Sequence, residues 1–307
     1  MKILITEFME TNSVEILKKN FDITFDQELS KNHKALKDSI NKFDVLIVRN
    51  KTQVNQEILE NATSLKFIGR LGVGLDNIDT DYCKNKNIHV QPATGMNADS
   101  VAEFVINSSL SLLKNNHLMH KETLLGNWPR TLISSRELKG KTLGLFGFGL
   151  IAKKVSLIAN VFNATIIAHD PFIGQNIGDE FNTKLVSANE LFEFADIISI
   201  HLPLTNTTKN LLNYSAFKKM LKRPIIINSS RGSIIHEKDL LRAYDEKLIS
   251  GFALDVYEKE PAPKEFLINI KKDTNCILTP HIAGVTEESN SRVSEYIANA
   301  VLEFFKL

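Results

Sequence analysis

The chain has 307 residues, 43% of them hydrophobic, and a formal net charge of +1 from 37 basic and 36 acidic side chains. This is globular composition at a length that suits about two domains, and the balanced charge disfavours a dedicated nucleic-acid or membrane-surface binder. The two cysteines, Cys83 and Cys276, lie far apart with no Cys/His cluster, so neither a disulfide framework nor a metal site is expected, and a reducing cytoplasm is the expected compartment.

The opening Met1-Lys2-Ile3-Leu4-Ile5 is too short for a signal-peptide core, and no apolar run approaches the ~20 residues that span a bilayer. It reads as a first buried strand. Further short apolar runs follow at 45–48, 67–68, 143–146, 166–168, 197–200, 225–227, 252–254 and 277–278. Most are separated by stretches long enough for a helix, some with apolar residues at helical spacing, such as Leu240, Leu241 and Tyr244. Uninterrupted apolar strands alternating with helices predict α/β architecture with parallel sheets covered on both faces. Segment 97–116 has Ser100 and Glu103 at capping-box spacing, then Val101, Ala102, Phe104, Val105, Ile106, Leu110, Leu112 and Leu113 around most of its circumference. Such a helix must be buried, either between domains or subunits or as an ordinary core helix.

At 143–152 an apolar strand runs into Gly147-Phe148-Gly149-Leu150-Ile151-Ala152 and then a helical stretch. In this GxGxxA pattern Gly147 permits the tight turn, Gly149 lets the backbone approach a pyrophosphate, and Ala152 allows close helix–strand packing. The helix N-terminus then offers N–H groups to the phosphates. Asp170 follows Gly147 by 23 residues, just after the next strand. There it would accept from the ribose hydroxyls and repel a 2′-phosphate, favouring NAD over NADP; His169 beside it could soften that exclusion.

The other unusual residues also follow apolar runs: His201-Leu202-Pro203, Asn228-Ser229-Ser230-Arg231-Gly232, Asp255, and Pro280-His281. Ligands of open parallel sheets bind at that carboxyl edge. Oxidising a 2-hydroxy acid needs a base, a cation for the carboxylate and a hydride acceptor. His281 suits the first role, with Glu260 to orient its ring, and Arg231 offers a planar fork for the second. Spacing alone does not bring Glu260 to His281.

The runs GRLGVGLDNID from Gly69, GFGLIA, HDP, HLPLT, NSSRG, ALDVYEKEP and TPHIAG together resemble the D-isomer-specific 2-hydroxyacid dehydrogenase family over essentially the whole chain. The resemblance implies two doubly wound parallel-sheet domains with a cleft between them. A Rossmann cofactor domain, 98–281, would be inserted into a flavodoxin-like substrate domain built from 1–97 and 282–307. It makes 97–116 an interdomain helix and the arm through Trp128 part of a homodimer. It also makes His281 the acid/base, Glu260 its partner and Arg231 the carboxylate anchor, with Val73 and Gly74 adding backbone N–H groups. Leu150, Ile151, Asp170, Leu202, Ser229, Asp255 and Gly284 match positions that line NAD, Asp255 near the carboxamide. His201, Pro203 and Ser230 join them as cofactor-edge candidates. Leu150 stands where a basic residue is frequent, and Ala152 where Gly is commoner.

In the resemblance Arg49 and Arg70 face the cleft, where phosphoglycerate dehydrogenases place cations for the phosphate; Lys51 is a further candidate. These charges imply a second anion on the substrate's C3 end, phosphate or sulfonate. The opening Thr6-Glu7-Phe8-Met9, the run 48–52, 92–97, 169–172 and 281–290 look more like the (S)-3-sulfolactate dehydrogenase branch than the phosphoglycerate branch. The expected reaction is therefore hydride transfer between NAD and a D-configured C3 2-hydroxy acid, (S)-3-sulfolactate or 3-phosphoglycerate, in either direction. Glyoxylate or hydroxypyruvate reduction and an NAD-sensing, corepressor-like interaction protein are the alternatives. With the chain ending at Leu307, no serine-sensing domain and no serine feedback are expected.

Overall fold

Strands Val45–Val48, Ile197–Ile200 and Ile225–Asn228 are buried at every residue, which requires cover on both faces of the sheets they belong to. In the computed structural model, which describes residues 1–130 and 135–307, that cover comes from helices in two units. Met1–Asn97 and Val285–Leu307 form the first, Ala98–Gly284 the second. The chain thus returns to the first unit at Val285, a few residues beyond the expected crossing at 281/282.

The first unit holds strands β1 (Lys2–Ile5), β2 (Asp22–Phe25), β3 (Val45–Val48), β4 (Phe67–Arg70) and β5 (His89–Pro92), all parallel in the order β2-β1-β3-β4-β5. Ile3, Ile5, Val45 and Ile47 pack with Val14 and Leu17 of helix Thr11–Lys18 and with Val293, Ile297 and Val301 of helix Glu287–Phe305. Leu4, Leu46, Val48 and Ile68 pack on the opposite side with Leu36, Ile58 and Leu59. Burial of each such side chain contributes about 1.5–3 kcal/mol. The C-terminal helix is therefore integral to this core.

The second unit holds β6 (Thr142–Phe146), β7 (Thr165–His169), β8 (Thr183–Leu185), β9 (Ile197–Ile200), β10 (Ile225–Asn228), β11 (Gly251–Leu254) and β12 (Cys276–Leu278). They form one parallel sheet in the order β12-β11-β10-β9-β6-β7-β8. Chain order reverses between β6 and β9, which makes their carboxyl ends the topological switch point. Helix Ala98–Lys114 places Ala102, Val105, Ile106, Leu112 and Leu113 in the core with Leu143, Leu145, Ile225 and Ile227. Its buried face is thus core of the second unit. The helix begins at Ala98, so Ser100 and Glu103 lie within its first turns and do not form the expected capping box.

Candidate active site

The strand ends of the second unit are in step. Phe146 is level with His169 and Ile200, Ile200 with Asn228, Asn228 with Leu254, and Leu254 with Leu278. The loops that leave these strands therefore issue in a row: His169 and Asp170, the glycine turn, His201 to Pro203, Ser229 to Arg231, Asp255 to Glu260, and His281. Among them, the turn fits a dinucleotide. Gly147 has φ +91°, and a Cβ there would lie 2.6 Å from the His201 carbonyl oxygen, so no L side chain fits. A Cβ on Gly149 meets nothing within 4 Å, leaving open space directly before helix Leu150–Val161, the position a pyrophosphate occupies in this fold. Leu150 is exposed there and Ile151 half-buried.

Asp170 is tied to the turn, since its Oδ2 accepts from Phe148 N at 2.9 Å and its Oδ1 from Phe172 N at 3.0 Å. A carboxylate has further lone pairs for ribose hydroxyls. His169 lies against Phe146, with Nδ1 2.9 Å from the Val186 carbonyl oxygen. Burial pushes the His201 imidazole down to about 4, and its Nε2 lies 3.0 Å from Ser199 Oγ, so it is a neutral bracket. Ser229 Oγ is a buried hydroxyl with no hydrogen-bond partner among the described residues, an orphan that a bound cofactor can satisfy.

Arg231 is oriented from beneath. Asn228, fully buried at the end of β10, donates through Nδ2 to the Arg231 carbonyl at 2.9 Å and accepts from Ser230 N and Oγ. Arg231 Nη1 donates to the Ser230 carbonyl at 2.7 Å. A Cβ on the next residue, Gly232, would overlap the Tyr257 backbone, so the Arg231 loop is packed directly on the segment that carries Glu260. Glu237 and Glu258 bracket the same two loops reciprocally, each carboxylate accepting the other's backbone N–H at 2.7 Å. Burial, and then the neighbouring Glu258 charge, raise the Glu237 carboxyl above its ordinary value; the Glu258 backbone donor opposes this.

His281 Nδ1 lies 2.8 Å from Glu260 Oε2, and both side chains remain partly exposed. Glu260 Oε1 accepts from Tyr257 N at 3.3 Å. The Tyr257 hydroxyl donates to the Thr279 and Leu254 carbonyls, and burial beside Asp255 pushes it up to about 12. His281 has φ +58°, a conformation non-glycine residues adopt rarely and which neighbouring contacts must hold. Asp255 does so. Fully buried, its Oδ1 accepts from Thr279 Oγ1 and Ile282 N at 2.7 Å, and its Oδ2 from Ala283 N at 2.8 Å. In this structure Asp255 therefore grips the loop carrying His281. Gly284 ends the loop and the unit.

In the first unit Arg49 follows β3, Arg70 ends β4, and Val73 and Gly74 lie in the loop after it. All are at the carboxyl edge of that sheet. Both arginines are half-buried; burial lowers the Arg49 guanidinium from its ordinary value while the Glu7 charge raises it, and an arginine remains cationic throughout. Among the described residues no cluster of His, Cys, Asp and Glu could hold a metal. Burial pushes both thiols up to about 11, so neither cysteine is an activated nucleophile.

Residues 106–283 match the family model described as D-isomer specific 2-hydroxyacid dehydrogenase, NAD binding domain. The chain is 39% identical over 296 residues to an (S)-sulfolactate dehydrogenase of Chromohalobacter salexigens, covering 95% of this chain and 94% of that one. It is 35% identical to a D-3-phosphoglycerate dehydrogenase of Methanocaldococcus jannaschii over 98% of its own length, but spans 57% of that longer protein. A D-lactate dehydrogenase from Aquifex aeolicus, solved with NAD and lactic acid, superposes with a TM-score of 0.88 at 27% identity, covering all of this chain and 96% of that one.

Proposed function

The chain belongs to the D-isomer-specific 2-hydroxyacid dehydrogenase family, NAD-dependent oxidoreductases, and on that premise we propose that its substrate is a D-configured C3 2-hydroxy acid with a distal anion, (S)-3-sulfolactate or 3-phosphoglycerate. The observation that carries the reading is the 2.8 Å contact between His281 Nδ1 and Glu260 Oε2, on the same sheet edge as the glycine turn. Bound NAD supplies the hydride acceptor. Gly147, Gly149, Leu150 and Ile151 hold its pyrophosphate and Asp170 its ribose; Leu202, Pro203, Ser229, Ser230 and Gly284 line the rest.

With Nδ1 engaged by Glu260, the His281 Nε2 takes the substrate hydroxyl proton on oxidation and returns it on reduction. Its imidazolium is stabilised by the adjacent carboxylate while the proton resides there. Arg231 anchors the substrate carboxylate through a bidentate fork, aided by the Val73 and Gly74 N–H groups. Arg231 also polarises the adjacent carbonyl in the reverse direction. Arg49 and Arg70 meet the distal anion, a role that glyoxylate or lactate leaves vacant. Relatives named for sulfolactate and for phosphoglycerate support that class of substrate, while relatives named hydroxypyruvate reductase and glyoxylate reductase support the alternative. The enzyme works in the cytoplasm as a homodimer, with the exposed Leu124, Leu125 and Trp128 as the apolar contact surface.

The test is NADH oxidation with 3-sulfopyruvate, 3-phosphohydroxypyruvate, hydroxypyruvate, pyruvate and glyoxylate. One of the first two should exceed the uncharged-tail substrates by at least about tenfold in kcat/KM. A preference for glyoxylate or pyruvate would overturn the distal-anion reading.

A further inference from the structure

In the first unit, the strand order β2-β1-β3-β4-β5 places the topological switch between β1 and β3, the point at which sheets of this order take their ligands. Glu7 lies just beyond β1 and Arg49 just beyond β3. Glu7 is only 5% exposed, and burying a carboxylate costs several kcal/mol unless its oxygens are satisfied. Here the donors are the main chain of the next loop. Glu7 Oε1 accepts from Arg49 N at 2.8 Å, Thr52 N at 3.0 Å and Lys51 N at 3.2 Å, and Oε2 from Lys51 N at 3.1 Å. The adjacent Thr6 and Thr52 hydroxyls meet at 2.8 Å, and Asn77 Nδ2 donates to the Arg49 and Thr52 carbonyls at 3.1 and 2.7 Å.

The Arg49 guanidinium is held separately. Its Nη2 donates to Asn290 Oδ1 at 2.8 Å, on helix Glu287–Phe305, whose N-terminus is capped by Thr286 Oγ1 accepting from Ser289 N. The arginine is thus held at its main chain by Glu7 and Asn77 and at its tip by Asn290, which lies nearly the whole chain away from Glu7. Arginine carries about 2 kcal/mol of rotamer entropy, and a cation already ordered loses less of it on binding an anion. A neutral amide engages one N–H without cancelling the positive charge, leaving donors for a ligand.

We propose that Glu7 and Asn290 are positioning residues that preset Arg49 for the distal anion of the substrate, and so set selectivity for dianionic over monoanionic 2-oxo acids. The inference rests on the reading of Arg49 given above. Neither residue touches the reacting atoms. Their loss should raise KM for the dianion and spare kcat.

The experiment compares the wild-type enzyme with Asn290→Ala, Glu7→Gln and Arg49→Ala, using whichever of 3-sulfopyruvate and 3-phosphohydroxypyruvate is preferred, against glyoxylate. Asn290→Ala and Glu7→Gln should each raise KM for the dianion by roughly tenfold with kcat changed less than about threefold. The loss of kcat/KM on the dianion should exceed that on glyoxylate by a similar factor, and Glu7→Asp should recover part of it. In the double variant Asn290→Ala/Arg49→Ala, the loss should not exceed that of Arg49→Ala alone. If Glu7→Gln does not fold, Asn290→Ala and the double variant decide. Equal losses on both substrates, a fall in kcat without a rise in KM, or additivity with Arg49→Ala would overturn the proposal. If Arg49→Ala abolishes selectivity while the other two preserve it, the positioning claim alone fails; if Arg49→Ala preserves selectivity, the reading of Arg49 fails and the positioning claim with it.

Discussion

His281 and Glu260 meet at 2.8 Å across 21 residues of chain because their parent strands, β12 and β11, are neighbours whose ends lie level at Leu278 and Leu254. The imidazole thereby has Nδ1 against a carboxylate, and Nε2 is the nitrogen proposed to exchange the substrate proton. Glu260→Gln keeps the shape but replaces the negative partner with a neutral amide. Turnover should fall roughly 10²-fold with little change in NADH affinity. Unchanged turnover would mean that the contact is incidental to the chemistry.

Gly232 lets the Arg231 loop pack on the segment carrying Glu260, since the Tyr257 backbone occupies the space a side chain would need. Gly232→Ala should therefore cost about 3 kcal/mol or more of stability and depress turnover, as the Arg231 and Glu260 loops are forced apart. A thermal melt matching wild type would show that the packing there is looser than described.

Asp170 accepts from Phe148 N within the glycine turn while carrying the charge expected to repel a 2′-phosphate. Asp170→Ala should raise KM for NAD and improve the NADP/NAD ratio of kcat/KM by about tenfold or more. A ratio that does not move would place the cofactor preference elsewhere.

The His201 imidazole, pushed down by desolvation to about 4 from an ordinary 6.5, should make stability depend on pH. The folded state holds the neutral ring, so the contribution is full above 6.5 and is lost as pH falls from there through about 4. Its ceiling is on the order of 3 kcal/mol. Urea unfolding at pH 7 and pH 4.5 should show a larger stability loss for wild type than for His201→Asn. Equal losses would acquit His201.

The interior strands were legible because they are apolar without interruption, and the glycine turn because its spacing is geometric. β2, β5 and β8 were not, and each is an edge strand. Exposed residues along Asp22–Phe25, the half-buried His89–Pro92 and the three-residue Thr183–Leu185 show no apolar run to read. Within the site, Arg231, Glu260 and His281 stood out by chemical type. Asn228, Glu237, Tyr257, Glu258, Thr279, Glu7 and Asn290 did not, because each looks like an ordinary loop or helix residue until its partners are known. The one clue for Glu7 and Asn228 was position, a polar residue at or just past the end of an apolar strand. Asp255 was found by the same clue, but its hold on Thr279, Ile282 and Ala283 depends on a neighbouring strand that spacing does not reveal.

On the proposed mechanism His281 moves the proton while the glycine turn and Asp170 hold the cofactor independently of it. Steady-state turnover of His281→Asn on the preferred 2-oxo acid, paired with NADH binding by fluorescence titration, tests this most directly. The expected result is a fall in kcat of ~10²–10⁴-fold with a dissociation constant for NADH within about threefold of wild type. Near-normal turnover, with NADH binding intact, would contradict it.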